Sequence, residues 1–143
     1  MTVKQLSVFL ENREGRLQQI FNILKEANVN VVSVSIAETS DYGVLRIITD
    51  DADRSAAILL EAGNIVSMTP VTVVAVEDKP AGLSGLLSII ARSDISIDYM
   101  YSLFTKHEGT AYMVFRVSSG GKFANLLKEH GMKGVTAEEL GLK

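Results

Sequence analysis

One short segment of this 143-residue chain occurs twice, and the duplication constrains the fold more than any other feature. The segment Glu11-Asn12-Arg13-Glu14-Gly15-Arg16-Leu17 returns 66 positions later as Glu77-Asp78-Lys79-Pro80-Ala81-Gly82-Leu83. Each copy follows an apolar run and is followed by apolar residues at helical spacing, namely Ile20, Phe21 and Leu24 in the first half and Leu86, Leu87 and Ile90 in the second. An internal repeat of this kind predicts two copies of one supersecondary unit.

Hydrophobic patterning predicts the same series of elements in both halves. The first half has predicted strands at 5–10, 29–37, 44–49 and 65–68, with helices over 15–27 and after Asp50. Val32, Val34 and Ile36 are predicted to share one face of their strand, and Ser40-Asp41-Tyr42-Gly43 a hairpin turn. The second half has predicted strands at 71–76, 95–104, 111–117 and 132–136, with helices from Pro80 and after Gly121.

The predicted order of elements in each half is therefore βαββαβ, which predicts an α+β fold of two ferredoxin-like units. Each unit is expected to be an antiparallel four-stranded sheet with two helices on one face. Thr69-Pro70 is the only candidate linker, so the units are predicted to span residues 1–69 and 70–143.

Composition narrows the classes of function. The net charge is −3 and the pI about 5.4, whereas nucleic-acid binders carry a basic excess. The absence of cysteine excludes disulfides and thiolate metal sites. No apolar run approaches the roughly 20 residues needed to cross a bilayer, and the N-terminus has no signal-peptide pattern. We expect a cytoplasmic protein that binds neither nucleic acid nor membrane.

The repeated segment lies between a strand and a helix N-terminus. Unpaired backbone N–H groups and the helix dipole favour a carboxylate there, and the side chain of Asn12 or Asp78 can accept hydrogen bonds from an ammonium group. That combination suits a free amino acid. Alternatively, Asn12 and Asp78 simply cap the helices and the glycines permit tight turns.

The repeated segment resembles the signature of the ACT domain, an amino-acid-sensing module attached to many biosynthetic enzymes. That signature is a strand followed by an acidic or amide residue, a basic residue, Pro-Gly, a variable residue and leucine. The first copy departs from it at Glu14, where proline is usual, and the second at Gly82, which falls one position late. The resemblance extends through both copies and covers almost the whole chain.

The resemblance implies that units pair side by side and bind an effector where the first turn of one unit faces the second strand of its neighbour. Two small sheets are also expected to leave an apolar surface, which predicts a homodimer. The leading hypothesis is a sensor that regulates a biosynthetic enzyme and has no cofactor and no reaction of its own, since no catalytic motif is recognisable. Carried over to this sequence, the resemblance indicates the following ligand-binding residues: Asn12, Arg13, Glu14, Gly15, Arg16, Leu17, Ser33, Ser35, Asp78, Lys79, Pro80, Ala81, Gly82, Leu83, Tyr99 and Tyr101.

Other interpretations remain open at this point. A structural docking module without a ligand is the main alternative, and a small enzyme is the second, although no nucleophile–base pair, phosphate loop or dinucleotide motif is recognisable. Tyr99 and Tyr101 share a strand face and either line a pocket or pack an interface. His107 and His130 have no ligand partner at a metal-binding spacing, so no metal site is expected.

Overall fold

A computed structural model of the protein describes residues 1–11, 13–38 and 41–143. Along the chain it has the elements β1 (Val3–Glu11), α1 (Arg16–Glu26), β2 (Val31–Glu38), β3 (Tyr42–Thr49), α2 (Ala52–Glu61), β4 (Val66–Glu77), α3 (Pro80–Ala91), β5 (Ile97–Ser102), β6 (Thr110–Val117) and α4 (Gly120–Glu129). This order confirms the predicted α+β class with two ferredoxin-like βαββαβ repeats.

The chain divides into two compact units. The N-terminal unit comprises Lys4–Thr69 with Gly141–Lys143, and the C-terminal unit comprises Pro70–Leu140 with Met1–Val3. In the N-terminal unit the strands lie in the order β2-β3-β1-β4, and the β1–β3 and β2–β3 pairs are antiparallel. In the C-terminal unit β4, β6 and β5 are neighbours in that order, again with antiparallel pairs.

Each unit has its own core between its helices and one face of its strands. The N-terminal core joins alternate residues of β1 and β3, among them Leu6 and Leu45, to Ile20 and Leu24 of α1 and Leu59 of α2. The C-terminal core joins Val74, Phe115, Leu86, Ile90, Phe123 and Leu127 in the corresponding way. The helical spacing in the sequence therefore identified the buried faces of α1 and α3 correctly.

The second strand of each repeat is irregular at the same place. The register shifts between Val31 and Ser33 in β2 and between Ile97 and Tyr99 in β5, which are equivalent positions 66 residues apart. Because a bulge inserts one extra residue, Val31 and Val34 both pack on the helix-side core. The prediction that Val32, Val34 and Ile36 form one face was therefore wrong for Val32, which lies within the bulge. Val34 and Ile36 keep the predicted alternation, since they pair with Ile47 and Leu45.

Three other predictions of local structure were also wrong. Thr69-Pro70 is not a linker loop but lies inside β4, because proline's fixed φ is compatible with extended backbone. Tyr42 and Gly43 already belong to β3, where they pair with Glu11 and Leu10, while Ser40 lies outside the described residues. The predicted strand at 132–136 is reduced to a single antiparallel bridge, in which the N–H of Val135 donates to the carbonyl of Val73 at 2.7 Å.

Candidate functional site

The two copies of the repeated turn leave their strands with the same backbone geometry. The N–H of Arg13 donates to the carbonyl of Glu11 at 2.9 Å, and the N–H of Lys79 donates to the carbonyl of Glu77 at the same distance. Asp78 is anchored by its own N–H, which donates to the carbonyl of Gly109 at 3.0 Å. The equivalent residue in the first turn, Asn12, lies outside the described residues.

The two helices begin differently, which explains the late glycine of the second copy. Helix α1 begins at Arg16, directly after Gly15, whose φ of 77° is the left-handed conformation that glycine favours. Helix α3 begins at Pro80, two residues before Gly82, which is the repeat equivalent of Arg16. Gly82 therefore lies in the first turn of α3. A Cβ on Gly82 would overlap the carbonyl oxygen of Glu77. Gly15 thus permits a left-handed backbone conformation, whereas Gly82 permits the close approach of α3 to the carbonyl group of Glu77.

Side-chain capping also separates the repeated turns from the other helix starts. Asp51 caps α2 by accepting a hydrogen bond from the N–H of Arg54 at 3.2 Å, and Ser119 caps α4 in the same way. Among the described residues, no side chain caps α1 or α3. The alternative in which Asp78 caps its helix is therefore wrong, and its side chain is exposed. The first-turn N–H groups of α1 and α3 are the kind that bind anions.

A cleft of about 450 Å³ opens beside the first turn of the N-terminal unit. Its lining combines the turn and the start of α1 with residues from β2 and β3, and it carries charges of both signs. Four predicted site residues take part: Arg13, Gly15, Arg16 and Leu17. The other lining residues are Leu10, Glu11, Gln18, Ile36, Glu38 and Gly43. Glu14 is exposed and is not part of this lining.

Arg16 is held at the cleft by a neutral partner. Its guanidinium Nη2 donates to the side-chain oxygen of Asn64, which is buried and is itself fixed because its Nδ2 donates to the carbonyl of Leu59 at 3.0 Å. Within the described ranges, the Nε of Arg16 is buried without a hydrogen-bond partner, and the guanidinium has no carboxylate within 4.0 Å. Arg16 therefore carries a positive charge that no carboxylate of the described residues neutralises in an ion pair.

Arg13 forms a weaker, exposed ion pair at the mouth of the same cleft. Its Nε lies 3.4 Å from Oε2 of Glu11, and the two side chains are 55% and 60% exposed. An ion pair this accessible contributes about 0–1 kcal/mol to stability. Both charges can therefore turn toward a bound ligand at little cost to the fold.

An apolar groove of about 560 Å³ continues from this cleft between α1 and β2. Its lining residues are Leu17, Gln18, Phe21, Val34, Ser35 and Ile36, of which Leu17, Gln18 and Ile36 also line the cleft. The groove thus includes the predicted site residues Leu17 and Ser35. Ser33 is fully buried on the same strand and is not part of either lining.

The C-terminal unit has a cleft of about 520 Å³ beside the second copy of the turn. The predicted residues Lys79, Ala81 and Gly82 line it, together with Ala75, Val76, Glu77, Gly85, Leu86, Ile89, His130 and Met132. Asp78, Pro80, Leu83, Tyr99 and Tyr101 are not part of this lining. Lys79 is paired with Glu77 at 2.6 Å between Nζ and Oε2.

The two clefts differ because the repeat changes at two facing positions. Gly82 and His130 of the C-terminal unit occupy the positions of Arg16 and Asn64 in the N-terminal unit, 66 residues apart in each case. Where the N-terminal unit has a guanidinium bonded to an amide, the C-terminal cleft has a glycine and an exposed imidazole. The imidazole Nδ1 of His130 lies 2.9 Å from the carbonyl of Leu126. The two turns are therefore not chemically equivalent.

The tyrosines of β5 lie together, as their spacing predicts. The rings of Tyr99 and Tyr101 are stacked with centroids 6.4 Å apart and planes inclined by 15°. Both side chains are half-buried. Their role in ligand binding stays a prediction.

Local sequence patterns did not identify several lining residues. Glu38 and Ile36 reach the first cleft because β2 lies beside α1, and Asn64 reaches Arg16 from the end of α2. Comparison of the two halves offered one signal for Asn64, because its counterpart 66 positions later, His130, is also polar. Both residues lie next to a glycine that ends a helix, Gly63 in the first half and Gly131 in the second. The described residues contain no group of three histidine or acidic side chains able to hold a metal ion.

Comparisons with known proteins agree with this architecture. Residues 1–141 match the family described as ACT domain pair. The crystal structure of protein BT0572 from Bacteroides thetaiotaomicron is similar over 99% of this chain and 96% of that one, with 33% identity and a TM-score of 0.91. The ligand-free regulatory subunit of aspartate kinase from Thermus thermophilus shares the fold over 88% of this chain and 91% of that one, with 12% identity and a TM-score of 0.63.

No curated protein matches the chain in sequence. Within the described ranges, each helix is too short or too polar to span a membrane. ACT domains are regulatory modules. The match over residues 1–141 spans both repeats, and each repeat has the same turn between its first strand and first helix. The chain belongs to the ACT domain pair family.

Proposed function

We propose that this protein is a cytoplasmic sensor that binds a free amino acid and regulates a partner enzyme or its own assembly state, without catalysing a reaction. Its ACT-like units, residues 1–69 and 70–143, would differ in role, with the N-terminal cleft as the effector site. The observation that carries the proposal is that this cleft combines charges of both signs with a helix start that no described side chain caps.

Each charged group of a zwitterion has a complementary partner in the N-terminal cleft. The effector carboxylate would bind the guanidinium groups of Arg13 and Arg16 and the first N–H groups of α1, because charge-assisted hydrogen bonds and the helix dipole both favour an anion there. The ammonium group would bind Glu11 and Glu38. If Arg13 stays paired with Glu11, the carboxylate of Glu38 is still available to bind the ammonium group.

The C-terminal cleft offers fewer unpaired charges. Lys79 and Glu77 lie closer together than Arg13 and Glu11, at 2.6 Å against 3.4 Å, and Gly82 supplies no charge where the N-terminal unit has Arg16. An amino acid bound there would have to break the shorter ion pair to engage either group. We therefore assign the effector to the N-terminal turn.

Binding becomes regulation only if the effector has unequal affinity for two states of the protein. The aspartate kinase regulatory subunit of Thermus thermophilus, which shares this fold, supports a regulatory role by analogy. A biosynthetic enzyme of amino-acid metabolism is accordingly the proposed partner.

Thermal unfolding against a panel of amino acids tests the proposal. A ligand present at 100 times its Kd stabilises the folded state by about 2.7 kcal/mol. Arg13→Gln should weaken binding of the stabilising amino acid at least tenfold, because a hydrogen bond to a charged group contributes about 1.5–3 kcal/mol. Lys79→Gln is the matched control, since Lys79 is the equivalent residue of the C-terminal turn and pairs with a glutamate in the same way.

Three outcomes separate the alternatives. Loss of binding in Arg13→Gln alone supports the N-terminal site. Loss in Lys79→Gln alone contradicts the assignment and indicates the C-terminal cleft. No stabilisation by any amino acid at millimolar concentration contradicts the sensor function and favours a docking module without a ligand.

We also propose that the protein is a homodimer. Strand β2 lies at the outer edge of its sheet in the N-terminal unit, and an unprotected edge strand is able to pair with another chain. Phe9 and Tyr42 on the neighbouring strands form an exposed stacked pair with ring centroids 5.4 Å apart. A monomer in analytical ultracentrifugation at high micromolar concentration would contradict this assembly.

A further inference from the structure

We propose that the effector site selects amino acids with a large apolar side chain, which lies in the groove between α1 and β2. This inference rests on the proposed function, because the main-chain groups of the effector are taken to bind in the adjoining cleft. The feature that carries it is the change in character along one continuous surface, from a charged cleft to an apolar groove.

The cleft and the groove are joined by shared residues. Leu17, Gln18 and Ile36 line both spaces, so a molecule whose charged end lies at Arg13 and Arg16 can extend directly into the groove. Each space lies within the range of about 300–1,000 Å³ that is usual for small-molecule sites. A ligand that fits both ends must be zwitterionic at one end and apolar at the other.

The groove lining disfavours a charged effector side chain. Leu17, Phe21, Val34 and Ile36 supply aliphatic and aromatic surface, and none of the described residues that line the groove is charged. A charged side chain placed there would lose hydration without gaining an ion-pair partner. The charged residues of the site all lie on the cleft side, where the main-chain groups of the effector already use them.

The groove also exposes apolar surface that a ligand would cover. The residues Leu17 and Ile36 are 38% and 43% exposed, on the helix and the strand that flank the groove. A single methylene in an apolar pocket changes affinity by about 10–200-fold. Leucine, isoleucine, methionine or phenylalanine should therefore bind at least about tenfold more tightly than alanine.

Calorimetric titration of the full chain with leucine, phenylalanine, alanine, lysine and aspartate tests the inference. Leu17→Gln and Ile36→Thr should each lower the affinity for the preferred apolar amino acid about tenfold and lower the affinity for alanine less than threefold. Leu60→Gln is the matched control, because Leu60 is a 53% exposed leucine of α2 that lies outside the cleft and the groove. This variant should bind like the wild type.

The results distinguish failure of the inference from failure of the function. Tight binding of lysine or aspartate, or equal binding of leucine and alanine, would overturn the selectivity while leaving the sensor intact. An equal loss of affinity for leucine and alanine in Leu17→Gln would also overturn it, since the groove would then not hold the side chain. No binding of any of the five amino acids, nor of the remaining common ones, would refute the sensor function itself.

Discussion

Gly82 allows the most direct test of how the second turn is built. An added Cβ would overlap the carbonyl oxygen of Glu77 and lie 2.9 Å from its carbonyl carbon. Both atoms are backbone atoms at the end of β4, so neither can rotate away as a flexible side chain would. Gly82→Ala therefore requires the strand end and the first turn of α3 to move apart.

The magnitude follows from two opposing effects. Overpacking costs about 1–3 kcal/mol, and contact with backbone atoms places this case at the upper end, near about 3 kcal/mol. Replacing glycine by alanine inside a helix returns about 1 kcal/mol. Gly82→Ala should therefore destabilise the protein by about 2 kcal/mol, which corresponds to a shift in Tm of roughly 4–8 °C for a chain of this size.

Gly85 is the matched control on the same helix. It is exposed, and an added Cβ meets no atom within 4 Å. Gly85→Ala should stabilise the protein by about 1 kcal/mol through helix propensity alone. The two substitutions make the same chemical change one helical turn apart, yet they should move stability in opposite directions.

Urea unfolding followed by circular dichroism measures both variants. Since Gly82 and Gly85 belong to the same unit, they should displace the same transition, with unchanged m-values. If Gly82→Ala were as stable as the wild type, or if both variants shifted stability equally, the close approach to Glu77 would not be a constraint on this turn.

Two further predictions concern side-chain contacts in the two units. Removing the α2 cap with Asp51→Ala should cost about 1 kcal/mol in urea unfolding, because the N–H of Arg54 loses its partner, and an unchanged midpoint would contradict this role. The hydrogen bond and the charge of Lys122 lower the pKa of Asp94. The contact therefore stabilises the folded state fully above the ordinary aspartate pKa, and this stabilisation is lost as the pH falls through the lowered pKa. Lys122→Met should raise the pKa of Asp94 in an NMR titration, and an unchanged titration curve would exclude the contact in solution.

The differences between the two turns bear on how a duplicated protein divides its functions. The N-terminal turn has Arg16 fixed by Asn64, whereas the C-terminal turn has Gly82 and His130 at the same positions. The N-terminal turn thus lies at a cleft with charges of both signs, whereas the C-terminal turn forms a tightly built helix start. If the proposed function holds, each chain carries one effector site of this kind.

The sequence by itself determined the duplication, the place of both turns, and the order of helices and strands as far as α4. Those features depend on local patterns, namely apolar residues at helical or strand spacing and turn residues between them. The resemblance of the repeated segment to the ACT-domain signature indicated Arg13, Gly15, Arg16 and Leu17, which the structure brings together at one cleft. Local patterns did not distinguish the roles of Gly15 and Gly82, because a left-handed φ and a close backbone contact both favour glycine.

Only the tertiary structure decided which residues complete that cleft. Asn64 lies 48 positions from Arg16, and Glu38 and Ile36 reach the turn because β2 pairs with β3 in a register that includes a bulge. The continuity of the strand through Thr69 and Pro70 likewise depends on pairing with distant residues. Contacts of this kind arise from the packing of elements that are remote in sequence, so no local pattern encodes them.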